Sequence, residues 1–285
     1  MTTAEAERLQ DGYTLERTPQ EYERLRSQAR VWESATGRLF DRVALAPGAT
    51  CLDAGCGPGE TMRLMAQRVG PSGHVTGADI DAPLGAQAVA MLHDSGHRQC
   101  DFARIDLTTG EPVPGAPFDL VYARLLLYHV PQRVAVLERL WDAVRPGGHL
   151  LVQDYDMHTA GVLPALESTD ECLRVMIGAF SAAGCDVRVG ARLPELFAEA
   201  GIGTPDGTDV AGRLESLTDA HVAYTGVFRS VLSTAIAHGI TTEERAAACL
   251  AEVAHDAQRF PERPALWPLL ISAWKRKPPL TDPLD

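Results

Sequence analysis

The residues Leu52-Asp53-Ala54-Gly55-Cys56-Gly57-Pro58-Gly59 are the strongest chemical signal in the chain. The glycines let a backbone turn sharply and approach a ligand closely, and a helix starting at Glu60 would offer its unpaired N–H groups there. The loop is also acidic. A dinucleotide fingerprint asks for glycine where Glu60 stands, and a pyrophosphate beside Asp53 and Glu60 would be repelled. A nicotinamide oxidoreductase is therefore disfavoured. A cofactor without phosphates, carrying an ammonium and a sulfonium, is compatible with these carboxylates.

Further polar residues recur at positions that read as strand ends. Val75-Thr76-Gly77-Ala78-Asp79 puts Asp79 20 residues beyond Gly59, with Ile80 beside it, where a carboxylate can accept both ribose hydroxyls of an adenosine. Asp106 is placed to accept from an adenine amino group, and Leu107 offers a backbone N–H and an apolar wall. Tyr128 and His129 follow a fourth strand, and Asp154, Asp156 and His158 follow a fifth. A histidine titrating near neutrality is a natural general base, so His129, Asp156 and His158 are the catalytic candidates. The competing readings are structural: His129, before Val130-Pro131, as a helix-start residue, and Asp154 as a residue facing the sheet or capping a loop. Met157, Met176, Phe180, Tyr224, Phe228 and Leu232 line an apolar acceptor pocket or, at helical spacing, belong to the core.

The elements that must position these residues alternate. Strands are expected over 50–54, 74–79, 100–105, 118–122 and 149–154, and helices over 60–69, 83–94 and 132–144, with Arg145-Pro146-Gly147-Gly148 among the turns. Such alternation implies a doubly wound parallel sheet that binds ligands where its strand order reverses. Before it, Thr18-Pro19-Gln20-Glu21 starts a helical region. Beyond residue 156 come helical stretches at 164–183 and 191–200, an extended piece at 205–210, and a long helical insertion at about 216–260. That insertion restarts at the capping box Thr241-Thr242-Glu243-Glu244. Leu269–Trp274 reads as a last strand.

The composition narrows the class. With 285 residues, 45% of them hydrophobic and 22% charged, the chain reads as a folded domain with a sizeable core. Its net charge of -12 disfavours nucleic acid as a partner. No run approaches the roughly 18 apolar residues of a membrane span, and no signal sequence opens the chain, so the expected location is cytoplasmic. The cysteines are scattered with no C-x-x-C pair and read as thiols rather than a disulfide framework.

Over roughly residues 45–155, Asp53-Ala54-Gly55-Cys56-Gly57-Pro58-Gly59, Gly77-Ala78-Asp79, Asp106, Phe118-Asp119-Leu120-Val121 and Arg145-Pro146-Gly147-Gly148 resemble, in order and spacing, the class I S-adenosylmethionine-dependent methyltransferases. The resemblance implies an α/β, Rossmann-like fold with a seven-stranded sheet. Its last strand, 269–275, would be antiparallel, paired with the 205–210 piece. The implied organisation is an N-terminal helical cap over 1–45, a cofactor-binding core over 46–155, and a remainder over 156–285 whose insertion at about 216–260 forms a lid. It also implies that S-adenosylmethionine is the cofactor and S-adenosylhomocysteine the product. Gly55 and Gly57 would line the methionine part, Asp53 its amino group, Asp79 the ribose and Asp106 the adenine. Ile80, Leu107, Arg124 and Tyr13 complete the cofactor set. Tyr122-Ala123-Arg124-Leu125 lacks the Asp/Asn-Pro-Pro-aromatic tetrad of amino-methylating nucleic-acid enzymes and the Pro-Cys of cytosine C5 enzymes. It also supplies no carboxylate for a catalytic metal. The expected activity is methyl transfer to an oxygen or nitrogen of a small organic acceptor, in secondary metabolism. The alternative is a related protein that binds the cofactor but catalyses a cyclisation or isomerisation. A monomer and a homodimer both fit.

Overall fold

Five parallel strands follow one another through the first half of the chain: β1 (Thr50–Ala54), β2 (His74–Asp79), β3 (Cys100–Arg104), β4 (Phe118–Arg124) and β5 (Val144–Asp156). β7 (Gly207–Ala211) and β10 (Leu269–Arg276) complete a seven-stranded sheet of order β3-β2-β1-β4-β5-β10-β7. The computed structural model describes residues 19–280; Tyr13 lies outside them. β10 runs antiparallel to both β5 and β7, as expected of the last strand and its partner.

Alternation along the buried strands sends their side chains into two cores. Cys51, Val75, Leu120, Leu151 and Trp274 join Leu39, Phe40, Met62 and Met65 on one face. Leu52, Ala78, Val121, Leu150 and Ala273 join Leu137, Leu140, Leu193 and Phe197 on the other. The covering helices include α1 (Pro19–Val31), α2 (Glu33–Arg42), α3 (Glu60–Val69), α4 (Ala82–Asp94) and α5 (Arg133–Asp142). α6 (Glu167–Ala182) and α7 (Val189–Glu199) follow. Order reverses between β1 and β4, so the chains leaving these strands part and open a crevice at their carboxyl ends.

The structure departs from the expected elements in four places. β5 starts at Val144, so the turn expected at Arg145-Pro146-Gly147-Gly148 lies inside it as a bulge: Phe118 pairs with Val144, but Leu120 pairs with His149. Gly147 adopts φ 82° there. The N-terminal region divides at Trp32 into α1 and α2, and α2 joins the core through Leu39 and Phe40. The insertion restarts at the expected capping box but also breaks earlier, at Val231, giving α8 (Leu217–Ser230), α9 (Leu232–Ala237) and α10 (Glu243–Arg259). Within the expected capping box the cap is Thr242, whose hydroxyl accepts from the Arg245 N–H at 3.2 Å. A second sheet of β6 (Gly161–Val162), β9 (Pro264–Leu266) and β8 (Leu214–Ser216) was not expected at all. Strands of two or three residues are too short to show a period-2 pattern. Among the described residues, no helix is long and apolar enough to cross a membrane.

Candidate active site

A cavity of about 1370 Å³ lies over the reversal point, between the carboxyl ends of the strands and a roof made by α1, α6 and α8. Its floor brings together Asp53, Gly55, Gly57, Asp79, Ile80, Asp106, Leu107 and Arg124, all expected at a cofactor site from sequence.

The glycine loop is held by its own backbone. Gly55 (φ 72°) donates its N–H to the Ala78 carbonyl at 2.7 Å, and Gly57 (φ 47°) donates to Asp79 Oδ2 at 2.9 Å. Both lie in the left-handed region that glycine enters without penalty. A Cβ on Gly55 would stand 3.1 Å from Leu126, whereas one on Gly57 would meet nothing within 4 Å among the described residues. Asp79 also accepts from the Asp81 N–H at 3.0 Å, and Tyr22 donates to Asp81 at 2.9 Å, tying α1 to the tip of β2. Asp106 Oδ1 accepts the N–H and hydroxyl of Thr108 at 2.8 and 2.6 Å, which fixes its carboxylate at the rim.

Asp53 differs from the other floor carboxylates. It is buried, and its Oδ2 has no hydrogen-bond partner among the described residues. Burial raises its pKa to about 7, with Arg124 pulling it down and Asp79 pushing it up. Arg124 is itself positioned by Thr36, to which its guanidinium donates at 3.1 Å; Thr36 in turn donates to Gln153 at 2.8 Å. Glu60 heads α3, as expected, but its carboxylate is taken up by Arg30 and Arg63, and Arg63 continues to Glu33.

At the opposite end the wall is apolar and aromatic. Four of the six residues weighed as pocket or core line it: Met157, Met176, Phe180 and Tyr224. Phe228 is fully buried in the core, and Leu232 packs against it. Tyr128 and His129 also line the cavity, in edge contact with one another (ring centroids 5.0 Å) and with Phe180 (5.1 and 6.3 Å). Burial, with a contribution from Arg24, lowers the His129 pKa to about 4, so the ring is neutral at pH 7. Its Nδ1 lies 3.9 Å from Cys185 Sγ.

The other two catalytic candidates lie elsewhere. Asp156 is buried, caps the short 3-10 turn Met157–Thr159 by accepting the His158 N–H at 3.1 Å, and meets Arg188 at 3.5 Å. His158 lines a separate groove beside α6. Alternation along β5 explains the placement, because it points Gln153 and Tyr155 to the opposite face from Asp154 and Asp156. Asp154 accepts the Tyr128 and Tyr155 N–H groups, both at 3.1 Å, and holds the segment after β4 against β5. Tyr155 is the β5 residue that reaches the cavity, where its hydroxyl accepts from Trp32 at 2.6 Å and Gln28 at 3.2 Å. Sequence reading passed over Tyr155, although the parity of β5 was available to find it. Trp267, whose indole donates to Glu215 at 2.7 Å, was out of reach because it depends on the small sheet. Among the described residues, no group of three or more His, Cys, Asp or Glu side chains is arranged to hold a metal ion.

Residues 51–148 match the family model of the methyltransferase domain. The trans-aconitate 2-methyltransferase of Paracidovorax citrulli is 36% identical over 117 residues, 40% of this chain and 42% of that protein. The ubiquinone/menaquinone biosynthesis C-methyltransferase UbiE of Bordetella parapertussis is 31% identical over 142 residues, 48% and 52% of the two chains. The alignments thus span about half or less of these curated relatives. A crystal structure of a putative methyltransferase from Bacillus halodurans superposes with a TM-score of 0.55 at 18% identity, covering 85% of this chain and 97% of that one, a likeness of fold.

Proposed function

We propose, from the premise that residues 51–148 form a methyltransferase domain of the class I S-adenosylmethionine-dependent family, that this chain transfers a methyl group to an oxygen or nitrogen of a small organic acceptor, of the kind handled in secondary metabolism. The observation that carries the reading is Asp53. Its buried carboxylate lines the cavity floor with Asp79 beside it, and a cationic ammonium group is the natural complement of that acidic pair.

The other floor residues fit the same cofactor. Asp79 keeps lone pairs beyond those committed to the Gly57 and Asp81 amides, which suits vicinal hydroxyls. Ile80 and Leu107 supply flat apolar walls, and Asp106 a carboxylate at the far rim. The open space at Gly57 leaves backbone exposed where the ligand would pass. When bound, S-adenosylmethionine supplies a methyl carbon already activated by its sulfonium. The protein's main task is then to hold the acceptor in line, and positioning of this kind is worth about 7–11 kcal/mol. His129 lines the acceptor end of the cavity and is uncharged at neutral pH, but a pKa lowered to about 4 makes it a weak proton acceptor, against the sequence expectation of a histidine titrating near neutrality. Asp156 and His158 have no part in this scheme, because neither lines the cavity. A small-molecule partner and a cytoplasmic location belong to the same reading.

Calorimetry with S-adenosylmethionine and S-adenosylhomocysteine, followed by mass spectrometry for S-adenosylhomocysteine formed across an acceptor panel, tests the proposal. Binding and product formation are expected. Folded protein that binds neither compound would overturn the cofactor assignment. Binding without product across the panel would favour the non-methylating alternative.

A further inference from the structure

Beneath the cavity floor, polar side chains occupy a stretch of the sheet that would ordinarily be apolar. Across β4, β5 and β10, Arg124 pairs with Gln153 and Gln153 with Ser272, while Asp53 on β1 pairs with Tyr122, two residues before Arg124. Paired residues of neighbouring strands share a face, so these five side chains project to one side of the sheet. Thr36 of α2 meets them there, and Thr36, Tyr122, Gln153 and Ser272 are almost wholly buried.

The network has one polarity. Gln153 donates its amide N–H to Ser272 Oγ at 3.0 Å, which turns its carbonyl oxygen toward Tyr122 and Thr36; both hydroxyls donate to it, at 2.5 and 2.8 Å. The Thr36 proton is thereby committed. Its oxygen is left to accept, which it does from Arg124 Nη1 at 3.1 Å. Among the described residues Arg124 makes no other hydrogen bond and no ion pair, and its half-buried side chain lines the cavity, so the guanidinium faces ligand space with donors to spare. An apolar set of the same shape would pack as well; what the hydroxyls and the amide add is a fixed direction for one cation.

Resting on the cofactor reading above, we infer that Thr36 is a positioning residue: it holds the Arg124 guanidinium across from Asp53, so that one α-amino-acid tail is received at both its charges, the carboxylate by Arg124 and the ammonium by Asp53. Thr36, Gln153 and Ser272 all lie outside residues 51–148, so the device is supplied by the elements that surround the matched domain.

The test titrates the full chain by calorimetry at pH 8 with S-adenosylhomocysteine and with its decarboxylated analogue, which keeps the ammonium. Wild type should prefer the former by about 10- to 100-fold, as one charge-assisted contact allows, and Arg124→Gln should abolish the preference. Thr36→Val, nearly isosteric, should reduce it by about threefold or more while leaving affinity for the decarboxylated analogue unchanged; Thr36→Ser, which returns the hydroxyl, should restore it. Unchanged binding of the analogue also establishes that the variants are folded. Equal binding of the two ligands by wild type, a preference that survives Arg124→Gln or Thr36→Val, or a Thr36→Val variant that weakens both ligands alike, as a merely structural role would, would each overturn the inference and leave the cofactor reading standing. Failure of wild type to bind either ligand would overturn the cofactor reading, and the inference with it.

Discussion

At the scale of single residues, Asp53 has the sharpest consequence. Burial raises its pKa to about 7, whereas an ammonium-bearing ligand selects the ionised carboxylate. Below that value binding must expel a proton, so affinity for S-adenosylhomocysteine should rise with pH through about 7 and then level off. Calorimetry at pH 6 and 8, in buffers of different ionisation enthalpy, measures the proton released; Asp53→Asn should weaken binding and flatten the profile. Asp79 acts differently, as an acceptor at the end of β2. Asp79→Ala should lower affinity for the same ligand by about 10- to 100-fold, the range of hydrogen bonds to a charged group, and the variant's dissociation constant checks it.

Elements meet through positions that tolerate no side chain. Gly190 lies in α7 where it crosses β5, and a Cβ there would stand 2.4 Å from the Asp154 carbonyl oxygen. Backbone cannot yield as a side chain would, so Gly190→Ala should destabilise the fold by about 3 kcal/mol, read from the urea midpoint. Gly161, where an added Cβ meets nothing within 4 Å, is the matched control, and Gly161→Ala should change stability by less than about 0.5 kcal/mol. In the roof, the Thr242 cap is the local signal that starts α10. Thr242→Ala should cost about 1 kcal/mol in the same measurement, through loss of the bond to the Arg245 N–H.

For the molecule as a whole, buried titratable groups set how stability responds to pH. Asp53 and Asp154 are both raised to about 7, so the folded chain holds protons that the unfolded chain releases above the ordinary carboxylate range. Each contributes stability that falls as pH rises toward 7. His129, lowered to about 4, works in the opposite sense: the unfolded chain takes up its proton first as pH falls below the usual histidine value, so stability drops on the acid side. Comparing wild type with Asp53→Asn isolates one term. The variant's urea midpoint relative to wild type should increase as pH is raised from 5 to 8, because only wild type then carries the buried charge.

Asp53, Gly55, Gly57, Asp79 and Asp106 were legible in the sequence because strand, loop and helix are local there, and the chemistry is carried by residues a few positions apart. The antiparallel last strand was legible through the family resemblance. What the sequence could not decide was which side chains share the cavity once the chain is closed. Asp156 and Tyr155 are neighbours in the chain, yet the pleat of β5 sends them to opposite faces, and only the cover of α1 over that strand makes Tyr155 a wall residue. Trp267 depends on a small sheet joining Gly161, Leu214 and Pro264, segments far apart along the chain. The acceptor that Thr36 offers to Arg124 is likewise a tertiary fact. Residue type supplies a hydroxyl, but whether it is buried, and which partner already takes its proton, is settled by packing from distant parts of the chain. The sequence by itself therefore determined the cavity floor, the end we propose for the cofactor, where the arrangement follows from local backbone geometry. Tertiary structure alone decided the opposite, apolar end, whose lining follows from which surfaces meet.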